Sequence, residues 1–451
     1  MLKWYQLLFM ILILNPPVFS QEKPQIIILT DIGGDTDDEQ SLSRFLHYAD
    51  QFDIKGLCST SRLGHGQDIK PELIRAQIQA YREVYPNLIL HSKDFPDPDF
   101  LNSLVKSGLG NQKELGEGWD TEASEHIIKV VDESQNKVHI PVWGGLRELA
   151  QALWKVKQTR NEQELKAFSH KIQVHAIGDQ DRHRDYILNE FKEVTFIANG
   201  FAWYGSAGVR ELSAFRGMYM TGDVSRQNAV WVRSNIHLSP LGEKYQLHGH
   251  GTDGMKEGNT PSFLGLIANG LNVPEKPEYG GWGGRYRLLR NRLYIDVPDF
   301  LNGKLNERHT VARWRPAFQN DFLARVKWGI APYENANHNP IIILNGLEGM
   351  ERMLLNKSQG DWVELDATAC HDPDGDALNF NWYVYEEIYK PKTPILSAAL
   401  EGKEKVKFKV PDIPDGEQIH IILEVTDKGT PSLTSYRRIM ISSINNRQAL
   451  K

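Results

Sequence analysis

The stretch 'PQIIILTDIGGDTDDEQS', residues 24–41, decides the fold. Four consecutive apolar residues, Ile26 to Leu29, suit a β-strand covered on both faces, which is the mark of a parallel sheet buried between helices. The acids that follow, Asp37, Asp38 and Glu39, stand where the first turn of a helix favours negative charge. The same alternation continues downstream. 'FDIKGLCSTS' (52–61) reads as a strand, 'PELIRAQIQAYREVY' (71–85) as a helix and 'NLILHS' (87–92) as a third strand. Then come a helix in 'TEASEHIIKVVDES' (121–134), a strand in 'KVHIPVWGG' (137–145) and a helix in 'LRELAQALWKV' (146–156). 'KIQVHAIGDQD' (171–181) and 'EVTFIANG' (193–200) read as further strands. This is an α/β pattern, and it predicts a mostly parallel, doubly wound sheet.

Beyond residue 201 the pattern loosens and Gly and aromatics rise, with clear helical signals only in 'PSFLGLIANGL' (261–271) and 'NDFLARVKWGI' (320–330). This part reads as the completion and lid of one domain spanning 21–333. The polar 'APYENANHNP' (331–340), ending in Pro, supplies a linker over 334–340. Residues 341–451 carry only short β runs separated by turn signals, as in an all-β immunoglobulin-like sandwich. At the other end, residues 1–20 have the form of a cleaved signal peptide: Lys3, then an apolar core, then small residues before Gln21. A secreted or periplasmic protein is expected, with no membrane insertion. A net charge of −6 offers no basic field, so nucleic acid is not an expected partner. The two cysteines, Cys58 and Cys370, fall in different domains and read as small buried hydrophobes rather than a disulfide.

In open α/β sheets, ligands bind beyond the carboxyl ends of the strands. Polar clusters fall at five such ends: Asp31 to Asp38, Ser59 to Arg62, Trp143-Gly144-Gly145, Asp179-Gln180-Asp181 and Asn199-Gly200. Together they predict one convergent site. Asp31, Asp35, Asp37 and Asp38 cannot all ionise side by side without a compensating charge. A Ca²⁺ ion is hard, oxygen-seeking and tolerant of mixed ligands, and it answers that need. An ordinary acidic helix start accounts for Asp37, Asp38 and Glu39, but not for Asp31 or for the Gly33-Gly34 turn. Among the loop aromatics Trp203, Tyr204, Trp282, Tyr286 and Trp314, Trp282 is the preferred sugar-stacking residue, because flanking glycines would leave its face open. In the C-terminal region 'HDPDGDAL' spaces Asp372, Asp374 and Asp376 as a second calcium loop would, or as a plain Asp-Gly turn.

The motif 'TDIGGDTDDEQS' resembles the aspartate-rich fingerprint of nucleoside hydrolases. The resemblance is closer to a secreted branch named after a cellulose-binding member, which joins that domain to a C-terminal immunoglobulin-like domain. It extends through 'VWGG…LAQAL', 'AIGDQD', 'EGNTPSFLGLIANGL', 'GGWGGRY', 'RWRPAFQNDF', 'NHNP', 'DPDGDAL' and 'VTDKGTPSL'. It implies that Asp31, Asp37 and Asp38, the carbonyl of Arg147 and Asn259 hold Ca²⁺. Gly33 stands where the enzymes carry a metal-binding aspartate that takes the proton from water, and Asp35 stands two places on. Asn259 stands where a charged ligand is expected, with Glu257 as the compensating acid. The implied mechanism has a metal-bound water, deprotonated by Asp35 or Asp31, attacking an anomeric carbon. Asp179, Asp181 and Asn199 would grip sugar hydroxyls, with Arg62, Trp143, Glu257 and Trp282 completing the substrate side. His183, His248 and His250 are candidates for the general acid. Two functions are therefore expected: a calcium-dependent hydrolase of N- or O-glycosyl bonds acting on a saccharide or nucleoside-like substrate, or a non-catalytic carbohydrate-binding protein on the same scaffold.

Overall fold

The computed structural model describes residues 22–60, 69–110, 114–200, 213–249, 254–391 and 402–443. Its centre is an eight-stranded sheet built from β1 (Gln25–Thr30), β2 (Asp53–Ser59), β3 (Val105–Ser107), β4 (Val138–Val142), β5 (Ile172–Ile177), β6 (Thr195–Asn199), β7 (Tyr286–Arg290) and β8 (Leu293–Asp296). The order is β3-β2-β1-β4-β5-β6-β8-β7, parallel throughout except for the antiparallel edge strand β7. Strand β1 shows why. Ile26 and Ile28 enter one hydrophobic core and Ile27 and Leu29 the other, so alternate side chains are buried on opposite faces. The register lines up the strand ends, pairing Thr30 with Ser59, Leu29 with Val142 and Ile177 with Asn199. The described residues of the predicted polar clusters thus emerge along one rim.

One expected strand is overturned. 'NLILHS' belongs to a single helix, Pro71–His91, that runs through Pro86. Its buried positions Ile74, Gln77, Ile78, Tyr81, Val84 and Leu88 recur every three or four residues, a helical period that the short apolar run concealed. The third strand is instead Val105–Ser107. Only Pro261–Leu264 of 'PSFLGLIANGL' is helical.

The C-terminal part is a sandwich. A four-stranded sheet (Met353–Lys357, Thr434–Ser443, Gln418–Asp427, Leu378–Val384) faces a two-stranded one (Trp362–Asp366, Lys405–Lys409), and all pairs are antiparallel except the first. Val363, Leu365, Val406 and Phe408 from one layer meet Trp382, Ile421, Leu423 and Ile439 from the other. The opposite face of the larger sheet docks on the first domain, where Tyr385, Ile422 and Tyr436 join the core that holds Trp282, Trp314 and Phe318. The guanidinium of Arg438 donates to the carbonyls of Leu271 (2.7 Å) and Gly280 (2.9 Å) across the junction. The connecting segment is packed rather than loose. Tyr333 stacks on His338 at 3.8 Å, and Trp328 donates its indole N–H to Asn337. Cys58 and Cys370 are both free thiols. Among the described residues, no helix is long and apolar enough to cross a membrane.

Candidate functional site

The helix Thr36–His47 starts directly after the glycine turn, with Asp35 as its N-cap accepting from the Thr36 amide. Asp31, at the end of β1, and Asp38, one turn into the helix, are buried, while Asp37 is half-buried. The Asp38 carboxylate accepts from the Thr30 hydroxyl on one oxygen and from Asn259 Nδ2 (3.0 Å) on the other. Burial pushes the Asp38 carboxyl well above the ordinary range, and repulsion from Asp31 and then Asp37 pushes it further, against the opposing Thr30 hydrogen bond. Two glycines make room for this crowding. A side chain on Gly144 would fall 2.7 Å from Asp31 Oδ1, and one on Gly258 would fall 3.3 Å from Asp37 Oδ2. The 'WGG' and 'EGN' stretches thus close around the acids because they lack side chains there.

Asp31, Asp37, Asp38 and Asn259 are therefore brought together, and their donor set is all oxygen once the Asn259 amide presents its carbonyl. That is the chemistry a hard divalent cation takes. The crowding also demands positive charge or a proton. The cage is not closed, however: among the described residues no three His, Cys, Asp or Glu side chains gather tightly enough to hold a metal ion. Asp38 is turned to Thr30 and Asn259. Asp35 is turned outward to Lys256, with which it forms an ion pair, and lies 3.9 Å from His248 Nδ1. His248 in turn meets the Thr36 hydroxyl at 3.0 Å.

Gly33 is the most informative departure. Its φ is +84°, and a Cβ there would lie 2.6 Å from Lys70 Cδ and 2.7 Å from Leu73 Cδ1. Lys70 donates to the Gly33 carbonyl at 3.2 Å, so a lysine stem covers the space an aspartate at this position would need. Lys70 and Lys256 were not singled out by sequence reasoning. The only signal was that Lys256 opens 'KEGN' and Lys70 precedes the helix at Pro71.

Several expected substrate contacts take other roles. Trp282 is 1% exposed and packs edge-on against Phe318 and Tyr436. Its flanking glycines let backbones approach rather than opening the ring: a side chain on Gly283 would fall 2.6 Å from the Pro261 carbonyl. Glu257 is buried and bidentate to Arg44, at 2.7 Å to both nitrogens, so its charge is spent on that pair and not on Asn259. Asn199 is buried between Tyr286 Oη (2.8 Å) and the Phe215 amide (3.1 Å). Trp143 is fully buried, its indole N–H on Ser262. Asp181 accepts from the Arg147 amide (2.7 Å), holding the start of helix Arg147–Thr159 beside the acid cluster, and the Arg147 guanidinium pairs with Glu148. Asp179 stays at the rim with its carboxyl raised by burial and by Asp181. Asp372 accepts from the amides of Asp374 and Asp376, and Asp374 binds His338. These contacts make the loop an Asp-Gly turn that pins the domain junction. His183 meets Asp181 at 3.2 Å. Tyr286 and Trp314 are buried. Arg62, Trp203, Tyr204 and His250, like the signal segment, lie outside the described residues.

A doubly wound sheet with an acidic, glycine-lined rim and a docked sandwich defines a nucleoside hydrolase-like protein of two domains. The chain belongs to the cellulose-binding Sde182 family: the family's nucleoside hydrolase-like domain matches residues 25–286 and its C-terminal domain residues 362–443. A nucleoside hydrolase-related protein of Saccharophagus degradans, described as associated with carbohydrate metabolism, is 31% identical with a TM-score of 0.80, covering 94% of this chain and 100% of that one. A plant nucleoside hydrolase (14% identity, TM-score 0.37, 68% of this chain and 99% of that one) is far more distant. So is the inosine-uridine preferring enzyme of Bacillus anthracis (12%, 0.37, 68% and 100%). Neither of these two bears on the chemistry. No curated protein matches the chain.

Proposed function

We propose that the strand-end rim is a calcium-dependent glycosyl hydrolase site of an exported protein, acting on a saccharide or ribosyl substrate. The observation that carries this reading is the crowding of buried Asp31 and Asp38 with half-buried Asp37, in which Asp38 is disfavoured as an anion by burial and by its neighbours. A protein that only grips sugar has no use for such repulsion. Asp31, Asp37, Asp38, the Asn259 amide and the Arg147 carbonyl would hold the ion. A bound Ca²⁺ would neutralise the acids and lower the pKa of a water. Asp35, ion-paired with Lys256, would accept the proton, and Asp179 would meet a sugar hydroxyl. His248, 3.0 Å from the Thr36 hydroxyl and 3.9 Å from Asp35, would serve as the acid for the leaving group.

One observation favours the second reading, a non-catalytic carbohydrate-binding protein: the position of the enzymes' proton-accepting aspartate is Gly33, covered by Lys70. Two assays separate them. Thermal unfolding with EDTA and with saturating Ca²⁺ should show calcium stabilisation of about 2.7 kcal/mol at a hundredfold excess over Kd, absent in Asp38→Asn. Release of reducing ends from oligosaccharides and of ribose from nucleosides should then require calcium and be lost in Asp35→Asn. Calcium binding without any release points to the binding protein. A wild type blind to both reagents removes the calcium site.

A further inference from the structure

A cavity of about 600 Å³ lies between the two domains, within the roughly 300–1,000 Å³ usual for small-molecule sites, which favour domain junctions. Its floor is the docking face of the larger sandwich sheet. Along that face the register sets Glu424 opposite Tyr436 and Thr426 opposite Thr434, with Asn381 across from Glu424 on the other side. The next residues of strand Gln418–Asp427, Leu423 and Val425, point the other way, into the sandwich core. The opposite wall is Arg226 with Trp314 and Asn320 of the first domain.

The polar groups here are not used up by the fold. Glu424 accepts from Asn381 Nδ2 and Tyr383 Oη, each at 3.0 Å, and has no ion-pair partner among the described residues. Arg226 uses only Nη1, on the Pro316 carbonyl (3.1 Å) and Asn320 Oδ1 (2.6 Å). Its Nε and Nη2 make no hydrogen bond among the described residues. Thr426 and Thr434 share one hydrogen bond of 2.9 Å, which leaves hydroxyl acceptor capacity over. A purely structural junction would bury apolar groups at these positions, as it does at Ile422.

We infer that this interdomain cleft is a second binding site, distinct from the acid rim, for a neutral saccharide. Two guanidinium groups, Arg226 and Arg313, line the cleft with Glu424, but Arg313 is already paired with Asp299 (2.9 Å) and Glu387 (2.8 Å), so little net field remains, which disfavours phosphates and polyanions. A carboxylate that accepts, a guanidinium that donates and paired hydroxyls match the hydroxyls of a polyhydroxylated ring, and the half-buried Tyr383 ring offers an apolar face beside them. The shared helix Arg315–Trp328 places Asn320 in the cleft, while its neighbour Gln319 bonds Arg44 beneath the acid rim. The assignment does not depend on catalysis at that rim.

The test is calorimetric titration of the full mature chain with cellotetraose, xylotetraose and mannotetraose. At least one should bind, and Glu424→Gln and Arg226→Met should each weaken that binding at least tenfold. Lys166→Gln, at an exposed position of helix Glu162–His170 outside both sites, should leave it within twofold. Melting curves identify any variant that fails to fold, and the other cleft variant then decides. Binding of none of the three sugars overturns the inference. So does binding that disappears in Asp38→Asn and survives in Glu424→Gln and Arg226→Met.

Discussion

Gly33 sits where the polypeptide turns with φ of +84° under the side chains of Lys70 and Leu73, a backbone conformation that strains any residue with a Cβ. Gly33→Asp would recreate the carboxylate of the hydrolases in sequence, yet it would strain the left-handed turn and force the Lys70 and Leu73 side chains aside. Left-handed backbone costs a non-glycine residue about 1–2 kcal/mol, and overpacking adds about 1–3 kcal/mol. Urea denaturation should show a loss of about 2–5 kcal/mol with no gain in hydrolysis. A variant that is both stable and more active would mean that Asp35 is not the working acid. Glu257→Gln tests another single residue. It would leave the Arg44 guanidinium buried without its counter-ion, at a cost of about 3–5 kcal/mol, read as a fall in unfolding free energy with or without calcium.

At the scale of elements, the end of β8 controls the rim beside β6. Asp296 accepts from the Gly200 amide (2.7 Å) and the Ala214 amide (3.1 Å), tying together the two described ends that flank residues 201–212. Burial pushes its carboxyl from an ordinary 3.8 up to about 7, against the two backbone hydrogen bonds. A raised folded-state value means that the folded protein holds this proton more tightly than the unfolded chain does. The stabilisation is therefore full below about pH 4 and is lost as pH rises through about 7. A tenfold difference in proton affinity corresponds to about 1.36 kcal/mol, so the loss across this window is on the order of a few kcal/mol. Unfolding free energy measured from pH 4 to 8 should fall across that window, and Asp296→Asn should flatten the fall. An unchanged slope in the variant would assign the pH dependence elsewhere. The helix Pro71–His91 matters at this scale too, because its start carries Lys70 over Gly33.

The whole molecule unfolds as one unit if the docking face holds. Gly270, with φ of +83°, lies against the Tyr436 backbone so closely that any side chain would collide with the Tyr436 carbonyl. The Tyr436 amide donates to Asn269 at 3.0 Å, and Arg438 satisfies two carbonyls of the first domain. Gly270→Ala should split the calorimetric transition of the wild type into two, one for each domain. Arg438→Met should lower the single transition, since each buried carbonyl left without a donor costs about 1–3 kcal/mol. A single unshifted transition in both variants would show that the domains are coupled through other contacts. Local sequence carried the parallel sheet, the sandwich and the acid cluster, because strand runs, helix starts and adjacent aspartates act over a few residues. What Glu257 and Trp282 do could not be read there. Glu257 meets Arg44 from 213 positions away, and a glycine-flanked tryptophan reads the same whether the glycines expose it or let backbones close over it. Those outcomes, like the lysine over Gly33 and the cleft between domains, were decided only when tertiary packing set which distant groups share a low-dielectric space.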